Sequence, residues 1–221
     1  RVAKERKQKE KPIVFSICEW GWGKPYNWGA KAGNLWRTTP DIRPWWWWIK
    51  LIYEHTVKLY PYASKGHYND PDMLEVGNGK LSYNQNVSHF SLWCMMNAPL
   101  ILGNDLRNMS DQVKSIVTNR NMIAINQDPL AKQAKRVRKG AVDVLAKPLA
   151  DGSVAVCFFN KTSHAKSCKF DLNTLANDEY VAMQKKSEYS LKEQWSGQTA
   201  TTDGKVNAVL EKHQTKVFIV K

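Results

Sequence analysis

Acidic side chains and one arginine fall in three short clusters along the chain. Glu19 stands beside Trp20, Asp41 follows Arg37 in Arg37-Thr38-Thr39-Pro40-Asp41, and Asp70, Asp72 and Glu75 lie close together. A carboxyl that gives up and takes back a proton is a general acid/base, and a guanidinium offers fixed donors suited to vicinal hydroxyls. Each group also has a plainer role. Asp41 can cap the Trp-rich segment after it, Arg37 can sit in a structural salt bridge, and Glu19 can be a surface loop acid. The third cluster has the oxygen donors of a calcium site but no loop with alternating ligand spacing. Cys18, Cys94, Cys157 and Cys168 match no zinc pattern. No metal is expected.

The elements that must position these groups alternate between strand and helix. The charged run 1–11 reads as the end of a helix stopped by Pro12. PIVFSIC then reads as a buried parallel strand, with a loop at Gly21, Gly23 and Pro25. AGNLWRTT is a second strand ending at Pro40, which places Asp41 at a strand-to-loop junction. WWWWIKLIYEHTVKLY has helical length, with Trp45, Trp48, Ile49, Ile52 and Tyr53 on one face. DMLEVG is a third strand, Ser82 to Asn97 a helix ended by Pro99, and LILG a fourth strand. MSDQVKSIV and its neighbours form another helix, with Ser110 as N-cap. This is α/β organisation. A (β/α)8 barrel takes about 250 residues, and the roughly 130 present here make about half of one.

Beyond Pro129 the texture changes. VDVLAKPL and SVAVCFFN are joined by Ala-Asp-Gly, a hairpin signal, and KSCKFDL, EYSLKEQW, NAVL and KVFIVK continue as short strands. Residues 134–221 are therefore expected to form an antiparallel β-sandwich, after a half-barrel at 1–133. Cys157 and Cys168 could face each other across a hairpin, although spacing alone does not establish a bond.

With 43% apolar residues the chain can build a sizeable core. Its ten Trp lean towards a carbohydrate protein, because aromatic faces pack on sugar rings, but core packing is the commoner use of Trp. The net charge of +13 is local. Residues 1–11 hold six basic and two acidic side chains, and 132–139 hold five basic ones. Neither run interleaves aromatics, so solvated segments rather than a nucleic-acid surface are expected. Phe90 to Gly103 is too short and too broken by Asn97 and Pro99 to span a membrane. Sequons occur at Asn86, Asn108 and Asn160.

Five strings then line up in order: FSICEWG (15–21), GNLWRTTPDI (33–42), YNDPDMLEVGNG (68–79), HFSLWCMMNAPLILGNDLR (89–107) and AINQDPLAKQ (124–133). Together they closely resemble the α-galactosidase and α-N-acetylgalactosaminidase family, the melibiases, most strongly over 12–133. The resemblance implies a (β/α)8 barrel followed by an antiparallel β domain. It also implies retaining hydrolysis of terminal α-linked galactose by two carboxylates about 5–5.5 Å apart, without a cofactor. Asp41 falls on the family's general acid/base and Arg37 on an arginine that binds sugar hydroxyls. Glu19 and Trp20 fall on a loop that contacts the sugar's 2-position. Met73 is implied to pack near the sugar, with Asp70 and Asp72 bracing the barrel rim.

The chain also departs from the family. The nucleophile Asp belongs to a Lys-Tyr-Asp-like segment that should precede residue 1, and nothing in 1–14 resembles it. These residues alone are then expected to be inactive. A homodimer, or pairing with the missing N-terminal half, would cover the open edges at PIVFSIC and LILG. Many relatives have a Cys at Gly33, bonded to the equivalent of Cys18, and that bridge cannot form here. The alternatives are an α-N-acetylgalactosaminidase, against which the bulk of Glu19-Trp20 argues, and a non-catalytic carbohydrate-binding fragment, which would not need Asp41 and Arg37.

Overall fold

The computed structural model describes residues 13–221, so the helix expected at 1–11 lies outside it. Strands β1 (Ser16–Ile17), β2 (Leu35–Arg37) and β3 (Tyr68–Asp70) form a parallel sheet in the order β1-β2-β3. A parallel bridge between Leu74 and Leu102 adds a point of pairing. Helix α1 (Trp46–Thr56) connects β2 to β3. Helix α2 (Tyr83–Met95) begins with a reciprocal capping box between Ser82 and Gln85. Then follow α3 (Asp111–Val117), capped by Ser110 as expected, and α4 (Arg120–Asn126), capped by Asn119.

Several expectations are corrected. Within PIVFSIC only Ser16–Ile17 is parallel strand, Ile13, Val14 and Phe15 are exposed rather than buried, and among the described residues β1 pairs on one side only. The third strand ends at Asp70 and does not run through DMLEVG. Pro71 lacks an N–H, and Asp72 takes a left-handed φ of 79°, which breaks the extended chain. LILG contributes only the bridge at Leu102. Trp45 does not share the buried face of α1. It precedes the helix in extended conformation and is 53% exposed, while Trp46 turns inwards.

The C-terminal strands are β4 (Lys135–Arg138), β5 (Val142–Pro148), β6 (Val154–Asn160), β7 (Lys166–Asp171), β8 (Tyr189–Glu193), β9 (Thr199–Thr202), β10 (Lys205–Leu210) and β11 (Thr215–Val220). A six-stranded antiparallel sheet runs β4-β5-β6-β11-β8-β9, and β7 pairs with β10 in a second sheet. Cys157 on β6 and Cys168 on β7 thus lie in different sheets, and all four cysteines are free thiols. Burial raises the thiol pKa of Cys94 and Cys157 far above its ordinary value. Asn86 and Asn160 are buried and hydrogen-bonded through their side-chain amides, which leaves Asn108 as the accessible sequon.

Strands β5 and β6 are buried on both faces. Alternation sends Val144, Ala146, Val156 and Phe158 into the sandwich core, while Leu145, Ala155, Cys157 and Phe159 join the core of the helices. Among the latter, α1 and α2 lie against the six-stranded sheet. Polar groups at this seam are matched: Tyr53 donates to Asp143 (2.9 Å), and Arg136 and Lys161 each pair with both Glu54 and Asp143. The sheet therefore fixes α1, the helix that follows the Asp41 loop.

Candidate active site

Strand β2 ends at Arg37, directly opposite Asp70 of β3. Thr38 carries the pairing one step further, with its N–H on the Asp70 carbonyl (2.9 Å) and its hydroxyl against that of Thr56 (2.8 Å). At this strand end Arg37 is buried, and a single nitrogen, Nη2, meets both Asp72 (2.8 Å) and Asp41 (3.1 Å). The two partners differ. The Asp72 side chain is buried, whereas that of Asp41 is 56% exposed.

Asp72 is committed to the scaffold. One carboxylate oxygen accepts the N–H of Ile42 (2.8 Å), next to Asp41, and the other accepts the N–H of Met73 (2.8 Å). Its carbonyl accepts the indole N–H of buried Trp93 (2.8 Å), and its own N–H is held by Asp70 (2.9 Å). Burial raises the Asp70 pKa above its ordinary value, against the hydrogen bond from Asp72 and the charge of Arg37. Asp41, by contrast, keeps its second oxygen open and is anchored through its backbone, where the carbonyl accepts the Trp48 indole N–H (2.9 Å).

The loop after β1 reaches the same place. Gly21 has φ 83°, and a Cβ there would sit 2.2 Å from the Thr38 carbonyl oxygen, so only glycine lets the loop lie against the end of β2. Cys18 points its sulfur at Arg37 (3.9 Å). Glu19 uses one oxygen to accept the Gly23 N–H, and its other oxygen is buried without a partner. Trp20, with φ 61°, is exposed, as is Met73 beside Asp72. Gly33 has no space for the family's cysteine, since a Cβ would meet the Phe15 carbonyl at 2.8 Å.

The expected residues Glu19, Arg37, Asp41 and Met73 thus stand on one strand-end rim, joined through Arg37, Thr38 and Asp72. Trp20 belongs to the same loop as Glu19 without touching Arg37 through a hydrogen bond. Trp93 and Gly21 were missed. The first lies far away in sequence, and the second reads as an ordinary loop glycine. No group of His, Cys, Asp and Glu among the described residues is arranged to hold a metal, and no helix there is long and apolar enough to cross a membrane.

Residues 2–128 match the melibiase model described as "Alpha galactosidase A", and residues 139–220 match "Alpha galactosidase C-terminal beta sandwich domain". Alpha-galactosidase A of Cellvibrio japonicus is 38% identical over 224 residues, covering 94% of this chain and 55% of that protein. Alpha-N-acetylgalactosaminidase of Gallus gallus is 40% identical over 164 residues, covering 68% and 40%. The crystal structure of alpha-galactosidase I from Mortierella vinacea superposes with a TM-score of 0.88 at 23% identity, covering 98% of this chain and 59% of that one, which is agreement of fold. The chain spans about half the length of the curated relatives it matches.

Proposed function

This chain belongs to the melibiase family, and from that premise we propose that the protein carrying it hydrolyses terminal α-linked galactosides with retention of configuration, Asp41 acting as general acid/base. The observation that carries this reading is the unequal treatment of the two carboxylates on Arg37. Asp72 is spent on backbone amides, and Asp41 keeps an open, half-exposed carboxyl at the C-terminal end of a parallel strand, where barrel active sites lie.

In the first step a carboxylate attacks the anomeric carbon, the bond to the leaving oxygen breaks, and Asp41 gives that oxygen its proton. In the second, water attacks the glycosyl-enzyme, the water's proton passes to Asp41, and the attacking carboxylate leaves. By family resemblance the attacking carboxylate belongs to a segment before residue 1, so the reading concerns the protein that contains that segment. Arg37 and the free oxygen of Glu19 are the proposed sugar ligands, with Met73 and Trp20 as apolar neighbours. The likeness of the Glu19-Trp20 loop to the family's 2-position loop, and the bulk of that pair, support galactose over N-acetylgalactosamine.

Replacing Asp41 by Asn tests the assignment. Turnover of an unactivated galactoside should fall by about 10²–10⁴-fold, and less for a substrate with a good leaving group. Added azide should restore turnover of that activated substrate and yield α-galactosyl azide. Near-normal hydrolysis of the unactivated substrate would refute Asp41 as the acid.

A further inference from the structure

Trp93 is wholly buried on α2, and an indole N–H in a core needs an acceptor. The one it finds is the Asp72 carbonyl, at 2.8 Å. Two more side chains on the same face of the helix also hold backbone, since residues three and four apart stand above one another. Asn86 accepts the Gly77 N–H on its side-chain oxygen (2.8 Å), and His89 accepts the Glu75 N–H on Nε2 (2.9 Å). His89 also packs edge-on against the Trp93 indole, with ring centroids 4.1 Å apart. Segment 72–77 needs this splint. It is not a strand, it meets the sheet by a bridge at Leu74, and Asp72 has the left-handed φ of 79° that a residue with a Cβ ordinarily avoids.

Asp72 in turn holds the backbone of the proposed acid. Its Oδ2 accepts both the Ile42 N–H (2.8 Å) and the Arg37 guanidinium (2.8 Å). The Ile42 N–H and the Asp41 carbonyl belong to one planar peptide unit, and that carbonyl accepts the Trp48 indole N–H (2.9 Å). This peptide is thus pinned at both ends, by Trp48 directly and by Trp93 through Asp72. We infer that Trp93 is a positioning residue for the reaction: it sets the Asp72 main chain, and Asp72 sets where the Asp41 carboxyl stands. The inference rests on the proposed role of Asp41. The indole N–H of Trp93 goes to Asp72 and not to Asp41, so its effect travels through Asp72. Arg37, Ile42, Asp72 and Trp93 are all buried, and the whole relay lies within residues 37–93.

The experiment follows kcat/KM of the full-length protein on phenyl α-galactoside, whose leaving oxygen needs a proton, and on 2,4-dinitrophenyl α-galactoside, whose leaving oxygen does not. W93F removes the N–H and part of the ring. Trp93→β-(3-benzothienyl)alanine puts sulfur in place of the N–H and keeps the packing. Both should lose roughly 10- to 100-fold on the phenyl substrate, because displacing a reacting group by about 1 Å costs up to about 10²-fold. On the activated substrate the loss should be less than about threefold. In a D41N background the same replacements should cost less than about twofold, since a residue that acts through Asp41 then has nothing left to position. W195F, which removes an indole hydrogen bond to Ser91 of the same helix (3.0 Å), should leave kcat/KM unchanged. Near-normal activity of the benzothienyl variant on the phenyl substrate would overturn the inference. So would equal losses on the two substrates, an undiminished loss in the D41N background, or a matching loss in W195F, because Trp93 would then be holding the fold and not the acid. If D41N itself hydrolyses the phenyl substrate normally, the role of Asp41 fails and the inference fails with it. A damaged D41N beside a normal benzothienyl variant leaves Asp41 standing and refutes Trp93 alone.

Discussion

Trp46 donates its indole N–H to Nδ1 of His213 across 3.1 Å, joining the first turn of the helix behind Asp41 to a turn of the β-sheet domain. The bond requires an unprotonated Nδ1. His213 itself has φ 58°, and its carbonyl accepts the Ser88 hydroxyl (2.6 Å) from α2. One residue thus touches both helices that lie on the sheet.

Acid should loosen this arrangement. Burial lowers the His213 pKa below its ordinary value, with Lys50 and Lys212 adding to the effect. His89, wholly buried and accepting the Glu75 N–H on Nε2 (2.9 Å), is lowered by burial to about 3. A histidine whose folded pKa is depressed binds more protons when unfolded. Its contribution is complete above the unfolded value and is lost as pH falls from there towards the folded one. Thermal stability should therefore drop from about pH 6.5 downwards, and H89Q, whose amide oxygen also accepts the Glu75 N–H, should flatten the slope. An unchanged slope in that variant would rule out His89 as its source.

Removing Asp72 should damage stability and turnover together. D72A deprives buried Arg37 of its shorter ion pair and frees the amides of Ile42 and Met73. Breaking a buried pair on one side costs about 3–5 kcal/mol. Chemical denaturation measures it, and a loss below about 1 kcal/mol would show that Asp72 is not what holds the rim.

Lys147 should make stability rise between neutral and alkaline pH. It is fully buried on β5 with its ammonium on the side-chain oxygen of Asn97, and burial lowers it to about 7. Between that value and its ordinary one the unfolded chain binds more protons, so stability increases with pH across the interval. K147M should remove the increase at little cost at pH 7, since replacing a buried charge by a side chain of similar volume is often neutral. Persistence of the rise in K147M would assign it to another group.

Glu19 should decide between two sugars. The full-length protein should prefer aryl α-galactoside to aryl α-N-acetylgalactosaminide by at least about tenfold, because forcing in the larger sugar leaves a buried carboxylate oxygen unpaired at about 1–3 kcal/mol. E19A should narrow the ratio of kcat/KM values. Equal constants in the unsubstituted protein would refute the role.

Much of this was legible in the chain. The helix beginning at Ser82, the N-cap at Ser110, the hairpin at Ala-Asp-Gly and the strand before Asp41 are local signals, and each appears where the residues put it. The failures were non-local. PIVFSIC reads as buried because it is apolar, yet exposure depends on what lies over it. DMLEVG reads as a strand until Asp72 turns left-handed, a conformation held in place by the ion pair with Arg37 and the hydrogen bonds to Ile42 and Met73. Trp45 falls off the buried face because it precedes the helix in extended conformation, where the 3.6-residue period that relates Trp48, Ile49, Ile52 and Tyr53 does not apply.

Strand β11 lies between β6 and β8 in the middle of the six-stranded sheet, although it comes after both in sequence. On the ribosome this order has a cost in time. At about 5–20 residues per second, β6 emerges and waits with one edge unpaired until Thr215–Val220 has been translated. Meanwhile α1 and α2 lack the complete surface on which they come to rest. The nascent chain thus spends seconds with apolar helix faces and an open strand edge together, which is when a chaperone would have most to hold.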